Sequence, residues 1–110
     1  MYPLAKINVP NIEQFNMGTH AKKDIFISEH LRINGIWEPF ETLVTTKLIK
    51  PGDVVYDIGA NIGYYSIITS KLVKESGKVV AFEPEPTNFK LLKFNLSKNN
   101  CSNVVCESLA

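Results

Sequence analysis

The chain of 110 residues has little cysteine, little histidine and no long apolar run, and each shortage excludes a class of protein. Its two cysteines, Cys101 and Cys106, lack the spacing of a zinc site, and two thiolates alone make a poor ligand set. We expect both thiols to be reduced and no metal site. His20 and His30 stand apart in the sequence, and we expect solvated or structural roles for both.

No apolar stretch approaches the roughly 18 residues of a membrane-spanning helix. The N-terminus, MYPLAKINVP, lacks the charged-then-apolar pattern of a secretory signal, so we expect a cytoplasmic protein. Twelve Lys and Arg residues face eleven Asp and Glu residues, for a net charge of +1. This balance provides no electrostatic footprint for nucleic acid, and we expect no such partner. A hydrophobic content of 45% is ordinary for one small globular domain.

The first 49 residues predict an N-terminal arm followed by a helix. Residues 1–22 show no clear periodicity, and we expect an irregular arm there. Partial alternation over 24–33 predicts a strand or hairpin that turns near Asn34-Gly35. Glu38-Pro39 then predicts the start of a helix. Its inner face is predicted from apolar residues at i, i+3, i+4 and i+8, which are Phe40, Leu43, Val44 and Leu48.

Residues 50–110 predict a βαβαβ unit. Short apolar runs predict three strands, at 54–58, 79–82 and 103–107. Helical patterns lie between them, at about 62–74 and 87–98. Alternating strands and helices form parallel sheets, and we expect the spatial order 3-2-1. The fold class is therefore α/β, as a partial Rossmann-like unit, and the outer edge of the first strand would lack a neighbour, which favours self-association.

The junction between the first strand and its helix is the most informative segment, DIGANIGYYS. Its Gly59 and Gly63 permit close approach to backbone, and Asn61 tolerates the left-handed region. The three residues have the spacing i, i+2, i+4, whereas a dinucleotide site has glycines at i, i+2, i+5. Asp57 would repel a pyrophosphate but would attract the ammonium group of an amino acid. The loop therefore favours S-adenosylmethionine over NAD, and the first turn of the helix can bind the cofactor carboxylate.

Glu83 closes the second strand, which should end beside the first. A carboxylate at that position can accept hydrogen bonds from both hydroxyls of a ribose. Purely structural roles remain as alternatives. Asp57 could cap the backbone of the loop or helix, the glycines could form only a turn, and Glu83 could be a solvated strand end. Glu38 lies where the upstream helix could reach the cofactor amine, but an acid at a helix N-terminus also suits the helix dipole. We expect Tyr64 and Tyr65 to pack rather than to catalyse.

The strings VVYDIGANIGYYSI and GKVVAFEPEPTNFKLLKFNLSKNN resemble the FkbM-type family of S-adenosylmethionine-dependent class I methyltransferases. The resemblance covers about 50–110 and, more loosely, 35–41. It implies methyl transfer, often to a hydroxyl of a sugar, glycan, lipid or small natural product, with S-adenosylmethionine as cofactor. The cofactor contacts that it implies are Asp57, Gly59, Ala60, Asn61, Gly63, Glu83 and Pro84.

A weaker resemblance points to tRNA guanine methyltransferases, although FEPEP at 82–86 and the charge balance favour the first family. Members of the FkbM-type family continue through four further strands, so the acceptor site and any catalytic base have no matching positions here. We expect a truncated, cofactor-binding part of a methyltransferase. The alternative is a non-catalytic fragment or assembly component that binds cofactor weakly or not at all.

Overall fold

The structure, a computed structural model, describes residues 1–22 and 25–109. None of the helices in this part of the chain is long and apolar enough to cross a bilayer. The elements, in chain order, are β1 (Leu4–Ile7), β2 (Phe15–Gly18), α1 (Ile25–Asn34), α2 (Pro39–Leu48), β3 (Val54–Ile58), α3 (Tyr64–Val73), β4 (Lys78–Phe82), α4 (Pro86–Lys98) and β5 (Val104–Glu107).

A parallel sheet in the order β3-β4-β5 forms the second part of the molecule, as the sequence predicts. Helix α3 packs on β3 and β4, and it contacts α4 on the same side of the sheet. Val79 and Ala81 of the central strand are fully buried on this side. The predicted α/β fold class, a partial Rossmann-like unit, is confirmed. The carboxyl ends of β3 and β4 therefore meet at one edge, where the candidate site lies.

The N-terminal residues are more regular than expected. The irregular arm predicted over residues 1–22 is wrong, because β1 and β2 pair there as an antiparallel hairpin. The alternation of Ala5, Ile7 and Val9, all buried, is the signal, and prolines flank the strand rather than interrupt it. The strand or hairpin predicted over 24–33 is also wrong, because α1 occupies Ile25–Asn34. The predicted position of Asp24 lies outside the described residues.

Asn95 on α4 joins the hairpin to the rest of the core. Its side chain is fully buried, and Oδ1 accepts a hydrogen bond of 2.6 Å from the Gly18 N–H. Nδ2 donates to the Gly18 carbonyl at 3.0 Å and to the Ile62 carbonyl at 2.8 Å. Because buried amides stabilise only when paired, one residue fixes both the hairpin and the loop that precedes α3.

One face of the parallel sheet is exposed in the described part of the chain. Val54, Tyr56 and Ile58 alternate along β3 and are 65%, 68% and 69% exposed. The predicted inner face of α2 is exposed as well, from Phe40 to Leu48, and that prediction is wrong. Helix α2 instead buries Thr42, because it packs on the first turn of α3 through a polar contact.

We expect the chain to self-associate through this uncovered face, because parallel sheets are normally covered on both sides. Sedimentation velocity over a concentration series should show dimers or larger species that dissociate on dilution. Tyr56→Lys should shift the distribution to monomer, whereas Ser97→Lys, on an exposed position of α4, should not. A chain that stays monomeric at every concentration would contradict the expectation.

Candidate cofactor site

The loop between β3 and α3 contains three residues in left-handed backbone conformations. Gly59, Asn61 and Gly63 have φ values of 75°, 55° and 105°, at the spacing i, i+2, i+4. The N–H groups of Gly59 and Ala60 both donate to the Phe82 carbonyl at 2.9 Å. The left-handed backbone that the sequence predicts for this loop is therefore observed. Hydrogen bonds join the loop to the end of β4.

Glu83 holds the loop from the neighbouring strand. Its side chain is 6% exposed, so the alternative of a solvated strand end is wrong. Oε1 accepts a hydrogen bond of 2.7 Å from the Asn61 N–H, and Oε2 accepts one of 3.0 Å from the Glu85 N–H. A carboxylate oxygen has two lone-pair sites, so both oxygens can also accept from a ligand hydroxyl.

Asp57 is the penultimate residue of β3, two positions before Gly59. Its Oδ2 accepts a hydrogen bond of 2.6 Å from the Ser66 hydroxyl. Burial raises the pKa of Asp57, the Ser66 hydrogen bond lowers it, and the nearby charge of Glu83 raises it. The ionised carboxylate is thus partly desolvated without a basic partner among the described residues, which favours a cationic ligand.

Four of the predicted cofactor residues line one cavity of about 160 Å³: Asp57, Gly59, Ala60 and Asn61. This volume is below the roughly 300–1,000 Å³ of whole-ligand sites, and it suits the amino-acid end of the cofactor rather than its adenosine. The other three predicted residues lie outside the cavity wall. Gly63 faces Leu92 in the core, Glu83 accepts a hydrogen bond from the Asn61 N–H, and Pro84 is exposed.

The residues present fit S-adenosylmethionine on two observations. The Asn61 Oδ1 atom is buried and has no hydrogen-bond partner among the described residues, so it can accept a hydrogen bond from a ligand. A Cβ atom placed on Gly59 would meet nothing within 4 Å, so space for a ligand lies directly over this backbone. Gly63 caps α3 and has no side chain to bond its first N–H groups, which suits a carboxylate.

Part of the cavity wall comes from outside the motif. Trp37 and Glu38, on the turn before α2, face the cavity together with Tyr64 and Tyr65 of α3. The sequence signals Glu38 by its position before a helix, but it does not signal Trp37. A larger cavity of about 430 Å³ lies at the other end of α3, near Lys71 and Lys74, away from the predicted residues.

No group of three or more His, Cys, Asp or Glu side chains in the described ranges could hold a metal ion. Cys101 is buried and Cys106 is half-buried, and both are free thiols. Burial raises the pKa of each thiol, so both stay protonated at neutral pH.

Comparison with known families identifies one match over most of the chain. The model of the TRM5/TYW2 methyltransferase domain matches residues 39–110. This is the class of protein that the weaker of the two sequence resemblances indicated. The match includes α2, the glycine loop and Glu83, and it begins one residue after Glu38.

Two curated relatives are similar over shorter stretches. The 31-O-demethyl-FK506 methyltransferase FkbM of Streptomyces tacrolimicus is 45% identical over 47 residues, which are 43% of this chain and 18% of that protein. The tRNA (guanine(37)-N(1))-methyltransferase of Drosophila pseudoobscura pseudoobscura is 37% identical over 55 residues, or 50% of this chain and 12% of that protein. The chain thus spans less than a fifth of the length of these relatives.

Solved structures share the fold. A SAM-dependent O-methyltransferase from Thermotoga maritima has a TM-score of 0.62 and 27% identity, over 68% of this chain and 29% of that one. TYW2 from P. horikoshii, in complex with MeSAdo, has a TM-score of 0.54 and 28% identity, over 64% and 26% of the two chains. These similarities agree with the parallel sheet and its flanking helices.

Gly59→Ala tests whether the open space over the loop receives the cofactor. Alanine at a φ of 75° should reduce stability by about 1–2 kcal/mol, and its methyl group should reduce S-adenosylmethionine affinity about 10-fold or more. Gly52→Ala is the matched control, since Gly52 has a φ of 90° and lies at the opposite end of β3. Urea unfolding and calorimetric titration should find similar destabilisation in both variants, but weaker binding in Gly59→Ala alone. Equal affinities would contradict this position for the ligand.

Asp57→Asn tests the cost of the buried carboxylate. The pKa of Asp57 in the folded chain is raised above the usual 3.8, so ionisation of this carboxyl destabilises the fold at neutral pH. The lost stability is regained as the pH falls from the folded pKa toward 3.8. We expect the variant to melt at a higher temperature than the natural chain at pH 7, with a difference that shrinks toward pH 4. Thermal unfolding followed by circular dichroism measures this, with Asp53→Asn as a control at the other end of β3. A lower melting temperature at pH 7 would refute the assignment.

Proposed function

Because the chain belongs to the TRM5/TYW2 methyltransferase domain family, we propose that residues 1–110 form the S-adenosylmethionine-binding part of a methyltransferase. The observation that carries the proposal is the bond between the Glu83 carboxylate and the Asn61 N–H, which holds a carboxylate beside a loop with open space over Gly59. The fold and the cofactor agree with the sequence prediction.

The residues of the site have distinct tasks in this proposal. When bound, S-adenosylmethionine supplies an electrophilic methyl group on sulfur. Asp57 attracts the cofactor ammonium, the first turn of α3 binds its carboxylate, and Glu83 accepts from the ribose hydroxyls. Such contacts fix the donor against the acceptor, which is the main contribution that a protein makes to methyl transfer.

We favour a hydroxyl acceptor on a sugar, glycan, lipid or small molecule. The 45% identity to FkbM over 47 residues supports this acceptor, as does the nearly balanced charge of the chain. A hydroxyl must lose its proton during transfer, and burial raises the pKa of both Tyr64 and Tyr65, the latter to about 12. Neither phenol is therefore a base at neutral pH, and we assign no catalytic residue.

A tRNA base is the second candidate acceptor, favoured by the family model and by the Drosophila relative. The two candidates differ in their dependence on salt, because binding to phosphates weakens steeply as salt increases. Mobility shifts with unmodified tRNA at two salt concentrations, beside methyl transfer from labelled cofactor to tRNA or to polyhydroxylated small molecules, distinguish them. Label on a tRNA base would contradict the hydroxyl acceptor.

Glu83→Ala tests the cofactor site itself. Loss of charge-assisted hydrogen bonds of about 1.5–3 kcal/mol should weaken S-adenosylmethionine binding about 10- to 150-fold in calorimetric titration. Glu107→Ala, at the end of the neighbouring strand β5, is the control and should bind normally. Unchanged affinity in a folded Glu83→Ala chain would refute the ribose role. No binding by the natural chain would favour the alternative of a non-catalytic fragment.

A further inference from the structure

A second carboxylate faces the cavity from outside the glycine loop. Glu38 lies at the start of α2 with φ 46° and ψ 68°, in the left-handed region that residues other than glycine adopt at a cost. Its side chain lines the same cavity as Asp57. A strained backbone therefore positions this carboxylate at the cavity.

The capping alternative does not account for Glu38. The side chain makes no capping hydrogen bond to the N–H groups of α2, although Glu38 occupies the N-cap position. Glu41 already places an acid in the first turn, where it suits the helix dipole. Glu38 instead accepts a hydrogen bond of 2.9 Å from the Tyr65 hydroxyl, which belongs to α3.

Two side chains, those of Tyr64 and Thr42, hold the turn that carries Glu38. The Trp37 N–H donates to the Tyr64 hydroxyl at 3.1 Å, and the Thr42 hydroxyl donates to the Trp37 carbonyl at 2.6 Å. The Tyr64 and Thr42 hydroxyls are themselves 3.0 Å apart. Both Tyr64 and Thr42 are buried, so the turn is fixed from within the core and not by solvent-exposed contacts.

The charges around the cavity favour a cation. Asp57 and Glu38 both contribute carboxylates to its wall, and no Lys or Arg among the described residues is paired with either one. A positive charge in this cavity would lie near both carboxylates and would be attracted by each. The amino-acid end of S-adenosylmethionine supplies an ammonium group of the required sign.

We propose that Glu38, positioned by Tyr65, binds the ammonium group of S-adenosylmethionine together with Asp57. The inference rests on the proposed function, and it adds a cofactor contact that the glycine-loop motif does not include. Glu38 thereby makes affinity depend on the amino-acid part of the cofactor, while Glu83 makes affinity depend on its ribose. These two dependences are separable with a ligand that lacks one of the parts.

The test compares S-adenosylmethionine with 5′-methylthioadenosine, which keeps the adenosine and lacks the amino-acid group. Glu38→Gln should weaken S-adenosylmethionine binding about 2- to 5-fold and leave 5′-methylthioadenosine binding unchanged in calorimetric titration. Tyr65→Phe should give a smaller loss with the same selectivity. Glu41→Gln removes the same charge from the same helix outside the cavity and should change neither affinity.

The possible outcomes separate this assignment from the function on which it rests. Equal weakening for both ligands in Glu38→Gln would mean a general loss of structure and would overturn the ammonium role. Unchanged S-adenosylmethionine affinity would overturn it as well. If the natural chain bound neither ligand, the proposed function would fail, and the Glu38 assignment would fail with it.

Discussion

The site depends on the hydrogen bond between the Glu83 carboxylate and the Asn61 N–H. It joins the end of β4 to the loop that follows β3, across 22 residues of chain. A charged acceptor inside the structure makes a stronger bond than a neutral one, and Glu83 is 6% exposed. Together with the bonds from the Gly59 and Ala60 N–H groups to the Phe82 carbonyl, this bond holds a loop with three left-handed residues against β4.

Several residues around the cavity adopt conformations or environments that reduce the stability of the fold. Left-handed conformations at Asn61 and Glu38, and the buried carboxylate of Asp57, each cost folding free energy. The cavity between them presents an unpaired Asn61 oxygen and open space over Gly59. Costs of this kind concentrate at functional sites, where the ligand supplies the missing partners. In this chain Asn61, Glu38 and Asp57 all line the candidate cofactor cavity.

The sequence predicts the parallel strands, their order and the glycine loop, because apolar runs and glycine spacing are local signals. It fails where tertiary packing decides. The apolar stripe of α2 suggests an inner face, but the helix buries Thr42 against Tyr64 instead. The sequence does not predict helix α1, because short apolar alternation over 24–33 is typical of a strand. The helix buries Ser28 and Leu31, which are three residues apart. The part of the cavity wall at Trp37 depends on a contact across 27 residues.

The most direct measurement is the two-dimensional amide ¹⁵N–¹H spectrum of the chain during titration with S-adenosylmethionine. The site described here predicts saturable shifts at Gly59, Ala60 and Asn61, with smaller ones at Glu83, and none near Lys71 in the larger cavity. Shifts confined to the region of Lys71, or no shifts in a folded chain, would contradict a cofactor site built on the bond between Glu83 and Asn61.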